Sequence, residues 1–297
     1  MIEFTPWDDG GGGLRMGLSP LAADRWLQRP HDWAARLQQR QLLLQSRRHE
    51  VFARLPGSHV DDAQLEVAAL IHTSIHTSAD PANGNPEHEI NRVASTVGAD
   101  AGLPADACFL RAGLSVCEDL CVLLPSGDDY RLHSALLCAP SFWFLQQKLG
   151  LSLPGIHAPV VGLEEKLGAR IRVFLANLPP ERVFTRGNWH LHNTGEQFHP
   201  HPDDWTKAHA LTPDNIGQRI WLRCERQTLR KLAHSGAILF TILVYVNPLA
   251  ELALHPTLAH ELWRAYMNMP TAERDARHFA AFNAPLQQWL ERVTLPT

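Results

Sequence analysis

Four groups of residues in this chain have the types and spacing that chemistry requires. In Gly155-Ile156-His157-Ala158-Pro159, His157 stands between a glycine and a proline, and the residue before a proline is pushed toward extended backbone. An imidazole on so stiff a loop, beside Leu151, Leu153 and Ile156, suits an axial ligand of a haem iron. It equally suits a loop histidine bonded to its own backbone. The second group is Arg223-Cys224-Glu225-Arg226-Gln227-Thr228-Leu229-Arg230, where arginine forks can grip carboxylates or form a solvated basic face. As a strand, this segment turns Glu225 and Gln227 to one side and Arg226 to the other. The third group is His190, His192, Glu196, His199 and His201. His190 and His192 share a strand face, and two histidines with one carboxylate, here Glu196, can hold Fe(II) with open positions. A polar strand end followed by a surface Pro-His loop is the plainer alternative. The fourth is Cys117-Glu118-Asp119-Leu120-Cys121: neighbouring carboxylates repel when both are buried, and a strand points them to opposite faces. At most one of Glu118 and Asp119 then faces a pocket and can serve catalysis, or it simply bonds backbone at the core edge.

The elements that must position these groups are legible as patterns. Asp8 to Gly13 is a flexible lead-in, and Ser19-Pro20 begins a helical region. Trp33, Leu37, Leu44, Val51 and Leu55 recur at roughly helical spacing, and Asp61-Asp62 can cap a second helix through Leu65 and Leu70. Ser78 to Glu89 carries every loop signal. Leu114 to Leu124 and Tyr130 to Cys138, separated by Pro-Ser-Gly-Asp-Asp, predict an antiparallel hairpin. A helix is expected from Ser141 to Leu149, a loop over 154–159, and a helix from Leu163 to Leu178. Strands follow at Val183–Leu191, Arg219–Cys224 and Ala237–Val246. Leu258, Leu262 and Tyr266, then Leu286, Trp289, Leu290 and Val293, mark two amphipathic helices. Helices, hairpin-connected strands and helices again argue for an α+β fold with an antiparallel sheet.

Composition narrows the class. The 297 residues are 45% hydrophobic and 20% charged, with a net charge of −4, which leaves no electrostatic footprint for nucleic acid or an anionic membrane. No window approaches the ~20 apolar residues of a membrane helix, so the default compartment is the cytoplasm. The five cysteines, an odd number without Cys-x-x-Cys spacing, argue against a disulfide framework. Seventeen histidines are many, but their spacing rather than their number is the clue.

Several short blocks in fixed order go further. Met16-Gly17-Leu18 with Trp26, Glu118-Asp119-Leu120-Cys121, Pro140-Ser141-Phe142-Trp143 with Lys148-Leu149-Gly150 and Ile156-His157-Ala158-Pro159-Val160, Arg186 with Asn188-Trp189, and Glu225-Arg226-Gln227-Thr228-Leu229 span more than half of the chain. Together they resemble the haem-dependent oxidative N-demethylase family, alpha subunit. The resemblance implies a PAS-like antiparallel sheet with a helical N-terminal section and C-terminal helices. Residues 1–18 would be a lead-in, and 19–297 a single haem-binding domain with helical extensions at 19–77 and 256–297. It implies haem b, O₂ and a secondary methylamine such as dimethylamine as substrates, and a partner reductase carrying FMN and a 2Fe-2S cluster, in a homo- or hetero-oligomer. It would make His157 the axial iron ligand. Arg226, Arg186, Trp189 and Gln227 would surround the cofactor, and Glu118 and Asp119 would serve catalysis. The chain departs from the family pattern at Cys117, where Gln is usual, at Ala233, where Pro is usual, and at Leu243-Val244, where the family has Arg-Thr. A haem-binding sensor without turnover, and a non-haem metalloprotein built on His190, His192 and Glu196, are the competing readings.

Overall fold

The computed structural model describes residues 1–7, 15–77, 102–160, 162–205 and 208–294. Seven antiparallel strands form one sheet: β1 (Ser19–Leu21), β2 (Phe52–Arg54), β3 (Asp119–Ser126), β4 (Asp129–Leu136), β5 (Val183–His192), β6 (Trp221–Lys231) and β7 (Ile238–Pro248). Their spatial order is β1-β5-β6-β7-β3-β4-β2, so the longest strands occupy the middle. The helices used below are α1 (Trp33–Ser46), α2 (Ser58–Thr77), α3 (Ala105–Gly113), α4 (Leu153–His157), α5 (Ala169–Ala176), α6 (Pro256–Asn268) and α7 (Asn283–Thr294). The α+β class expected from the element pattern is the observed one. No described helix is long and apolar enough to cross a membrane.

Both faces of the sheet are covered, which is why β3 reads as a nearly unbroken apolar run. Leu120 and Val122 face α2 and α3, packing with Val67, Ile71 and Phe109. Cys121 and Leu123 face the other way, toward Leu145, Leu175 and Leu178. Farther along the first face, Leu222, Cys224, Leu243 and Tyr245 pack with Leu262, Tyr266, Leu286 and Leu290 of the C-terminal helices. The β6–β7 connection turns at Gly236, whose φ of +66° is the left-handed region that favours glycine. Glu66 of α2 clamps that turn by accepting from His234 N and Ser235 N, both at 2.9 Å.

Several local expectations change. Ser19-Pro20 opens edge strand β1 rather than a helix; a proline tolerates an edge because it lacks the donor a central strand needs. The helical spacing around Val51 breaks into a four-residue turn and strand β2. Only Leu145–Lys148 of the expected Ser141–Leu149 helix is helical. His157 is not on an extended loop. It closes the short helix α4, whose Pro154 lies in the first turn, where the missing N–H has no intrahelical partner to lose. Ala158 is right-handed helical at φ −50°, ψ −33° despite the following proline. Trp7 is buried against Trp189, with ring centroids 6.5 Å apart, so the N-terminal segment is anchored to the sheet there. Residues 8–14 of the lead-in expected over 1–18, and the Ser78–Glu89 loop, lie outside the described residues.

Candidate functional site

The β5–β6 register pairs Arg186 with Gln227, Asn188 with Glu225, and His190 with Arg223. Side chains alternate along a strand, so these six share one face. Helix α4 lies over that face: Leu153 and Ile156 pack with Phe184, Leu229 and Phe240. The motif block 140–160 is tied together around it. Lys148 Nζ donates to the Ile156 carbonyl at 2.5 Å, and Gly150 N donates to Leu132 O at 2.7 Å.

His157 Nδ1 lies 2.9 Å from the Leu153 carbonyl. A carbonyl only accepts, so Nδ1 carries the proton and Nε2 keeps a lone pair, the state in which an imidazole ligates metal. Burial pushes the imidazole below its ordinary pKa, and the nearby charges of Arg186 and Lys148 push the same way against the hydrogen bond to Leu153. Burial also depresses the Arg186 guanidinium; Glu225 acts against this and Arg277 with it. The Nε of Arg186 is buried without a hydrogen-bond partner. A desolvated guanidinium with an unmade bond is a seat for an anion. Beside it, Glu225 accepts from Ser141 Oγ at 3.1 Å and from Gln227 Nε2 at 2.8 Å. A neutral imidazole, an under-satisfied arginine and apolar walls on one sheet face fit a haem with its carboxylates. The cleft against His157 is narrow as folded, and Asp129, Glu164 and Arg172 line it together with Leu153, Leu163, Gly168 and Ile171.

The opposite face carries a different polar group. Arg226 donates to the carbonyls of Trp26 at 2.9 Å and Arg25 at 2.7 Å. Glu118 accepts from Gln28 N at 2.9 Å while its Oε2 is buried with no partner, and burial raises its pKa. Tyr245 Oη donates to Gln28 Oε1 at 2.9 Å. Trp189 is on this side too, stacked on Phe279 at 5.8 Å. Asp119 is held in place: it accepts from Arg40 Nη1 at 2.7 Å, Cys138 N at 2.7 Å and Ala139 N at 2.8 Å. Of the residues singled out from the sequence, His157, Arg186 and Gln227 come together, whereas Glu118, Arg226 and Trp189 lie across the sheet. Leu243 also faces away from His157, toward the C-terminal helices, so the missing family arginine is not lost from the His157 side.

The comparison with known families decides the relationship. Residues 17–284 match the model of the haem-dependent oxidative N-demethylase, alpha subunit-like family. The chain belongs to that family. Membership makes it haem-dependent, oxidative N-demethylase-like and subunit-like in kind. Sequence reasoning overlooked Ser141 and Lys148 as partners that organise the family's central block, although both lie within it. The third group also changes membership: Glu196 is exposed, and the carboxylate beside His192 and His199 is Asp203. His199 and Asp203 stand four residues apart, which was the available signal.

Proposed function

We propose that the chain is the haem-binding subunit of an oxidative N-demethylase acting on a secondary methylamine such as dimethylamine. The observation carrying this reading is His157: fixed by Leu153 through Nδ1, held below its ordinary pKa by burial, and near enough to Arg186, whose buried Nε has no hydrogen-bond partner, to feel its charge. His157 Nε2 would hold the haem iron, and Arg186 would receive a propionate. When bound, haem b supplies the iron at which O₂ is activated for oxidation of the methyl group. The balance is amine, O₂, two electrons and two protons in; primary amine, formaldehyde and water out. A separate reductase with FMN and a 2Fe-2S cluster is the electron source.

The chain's own residues bind and orient. Glu225, held by Ser141 and Gln227, offers a carboxylate for the protonated amine on the face shared with Arg186. This is the catalytic role that the resemblance gave to Glu118 or Asp119. Phe184, Leu229 and Phe240 exclude water, which strengthens that charge pairing.

The test is the absorption spectrum of protein expressed with haem supply, for wild type and His157→Ala, followed by amine-dependent O₂ uptake and formaldehyde release with a reductase present. A Soret band that shifts or vanishes in His157→Ala, with formaldehyde formed, is the expected result. No Soret band in the wild type sinks the proposal, and an unchanged band in the variant sinks the ligand assignment. A haem protein that turns over no methylamine would be a sensor or binding module.

A further inference from the structure

A second cluster lies at the far end of β5. Arg186 and His192 are six residues apart, about 20 Å at ~3.3 Å per residue. Here the buried Arg223 guanidinium donates to Ala139 O at 2.7 Å, Pro140 O at 3.2 Å and Gln197 O at 3.2 Å, drawing two loops together. The loops also bond each other, Phe142 N to His199 O at 2.9 Å and His199 N to Pro140 O at 3.3 Å. Phe142 sits at φ +65°, a left-handed conformation unfavourable for an aromatic residue, which persists only where the surroundings over-determine it. Its ring stacks on His192 at 4.5 Å and meets His190 and His199 edge-on at 5.2 and 5.4 Å. The strained backbone thus clamps the histidines from one side.

Asp203 completes the cluster from the other side. Its Oδ1 is 3.0 Å from His199 Nε2, and its Oδ2 is 3.6 Å from His192 Nδ1. The second separation is too long for a hydrogen bond. It suits two ligands of one ion, which stand roughly 3–3.5 Å apart when each is about 2.0–2.1 Å from the metal in tetrahedral geometry. One candidate ligand atom from each of His192, His199 and Asp203 lies within 4.8 Å of the others. Asp203 Oδ2 is buried with no hydrogen-bond partner, as is His192 Nε2. The side chains of His192 and Asp203 are 2% and 1% exposed, so water does not compensate them; that of His199 is 14% exposed.

We propose that His192, His199 and Asp203 form a binding site for one divalent transition-metal ion of the zinc type, separate from His157. Two imidazoles and a carboxylate select such an ion over magnesium or calcium. Three protein ligands leave a fourth position for water, on the side where His199 reaches solvent. The ion ties the loop 193–205 to the end of β5. Glu196, exposed, takes no part.

The test uses the full chain, stripped with a chelator and titrated with Co²⁺ alone. The expected result is one equivalent of Co²⁺ with visible d–d bands. Partners outside the ligand shell are already worth about 10–100-fold in metal affinity, so losing a ligand in His199→Ala or Asp203→Asn weakens binding by more than about 100-fold. His157→Ala and Glu196→Gln retain wild-type Co²⁺ affinity. His199 is partly exposed, so its alanine variant keeps the fold, checked by circular dichroism, and keeps the Soret spectrum if haem binds. Absence of d–d bands, or wild-type affinity in both ligand variants, overturns the site. Neither outcome bears on haem, which the Soret spectrum reports independently.

Discussion

Asp119 is where a catalytic and a structural reading predict opposite results. Its carboxylate is fully buried, pairs with Arg40 at 2.7 Å, and accepts from the backbone of Cys138 and Ala139. Asp119→Ala leaves a buried guanidinium without its counter-charge, and the buried Cys138 N–H and part-buried Ala139 N–H without acceptors. Removing one partner of a buried pair costs about 3–5 kcal/mol. Leaving a single buried donor unsatisfied costs about 1–3 kcal/mol, and the penalties at one site overlap rather than add. We therefore expect a loss of about 3–5 kcal/mol, a large share of the ~5–15 kcal/mol that holds a typical protein folded. Asp119→Asn keeps one acceptor oxygen and loses the charge, so its cost falls below that of alanine. Urea denaturation followed by circular dichroism and tryptophan fluorescence gives both values. A destabilisation under 1 kcal/mol for Asp119→Ala would refute the argument. Wild-type stability in Asp119→Asn with turnover abolished would restore the catalytic reading.

Other consequences are equally direct. Arg186→Met replaces an under-satisfied buried guanidinium by an apolar side chain of similar reach, so the haem-free protein should melt higher while haem binds more weakly; a lower melting temperature in the haem-free variant would contradict the unpaired state. An added Cβ at Gly187 meets Pro6, so Gly187→Ala should push residues 1–7 off the sheet at a cost of about 1–3 kcal/mol and expose Trp7, read as a red shift in fluorescence. Burial raises the Glu66 pKa, but the bonds from His234 and Ser235 outweigh it and the net shift is downward. A depressed folded-state value contributes stability above the unfolded carboxylate pKa of ~4.3 and loses it as pH falls through the folded value. Glu66→Gln should thus flatten the acid limb of the melting curve below about pH 5, and an unchanged limb would show that the clamp on the β6–β7 turn carries no charge dependence. Glu118 has the opposite sign: burial raises its pKa, so its contribution is present at low pH and lost as pH rises through the folded value. Glu118→Gln should gain stability over wild type as pH increases, and a constant difference from pH 4 to 8 would count against it.

What the sequence alone determined was set by local rules. Alternation along β6 put Glu225 and Gln227 on one face and Arg226 on the other, as observed. The hairpin around Gly127 and the amphipathic C-terminal helices likewise follow from turn chemistry and periodicity within a few residues. Alternation cannot say which cover each face meets. That depends on packing between segments far apart in the chain, such as Trp26 on Thr228 and Ile156 toward Leu229, and it put Arg226 with the N-terminal segment and Arg186 with His157. The histidine cluster shows the same division. His190 and His192 were readable as strand neighbours, but the carboxylate beside His192 came from Asp203 rather than Glu196. The deciding contacts, Arg223 pulling two loops together and Phe142 held left-handed between them, arise from tertiary closure, and no local spacing encodes them.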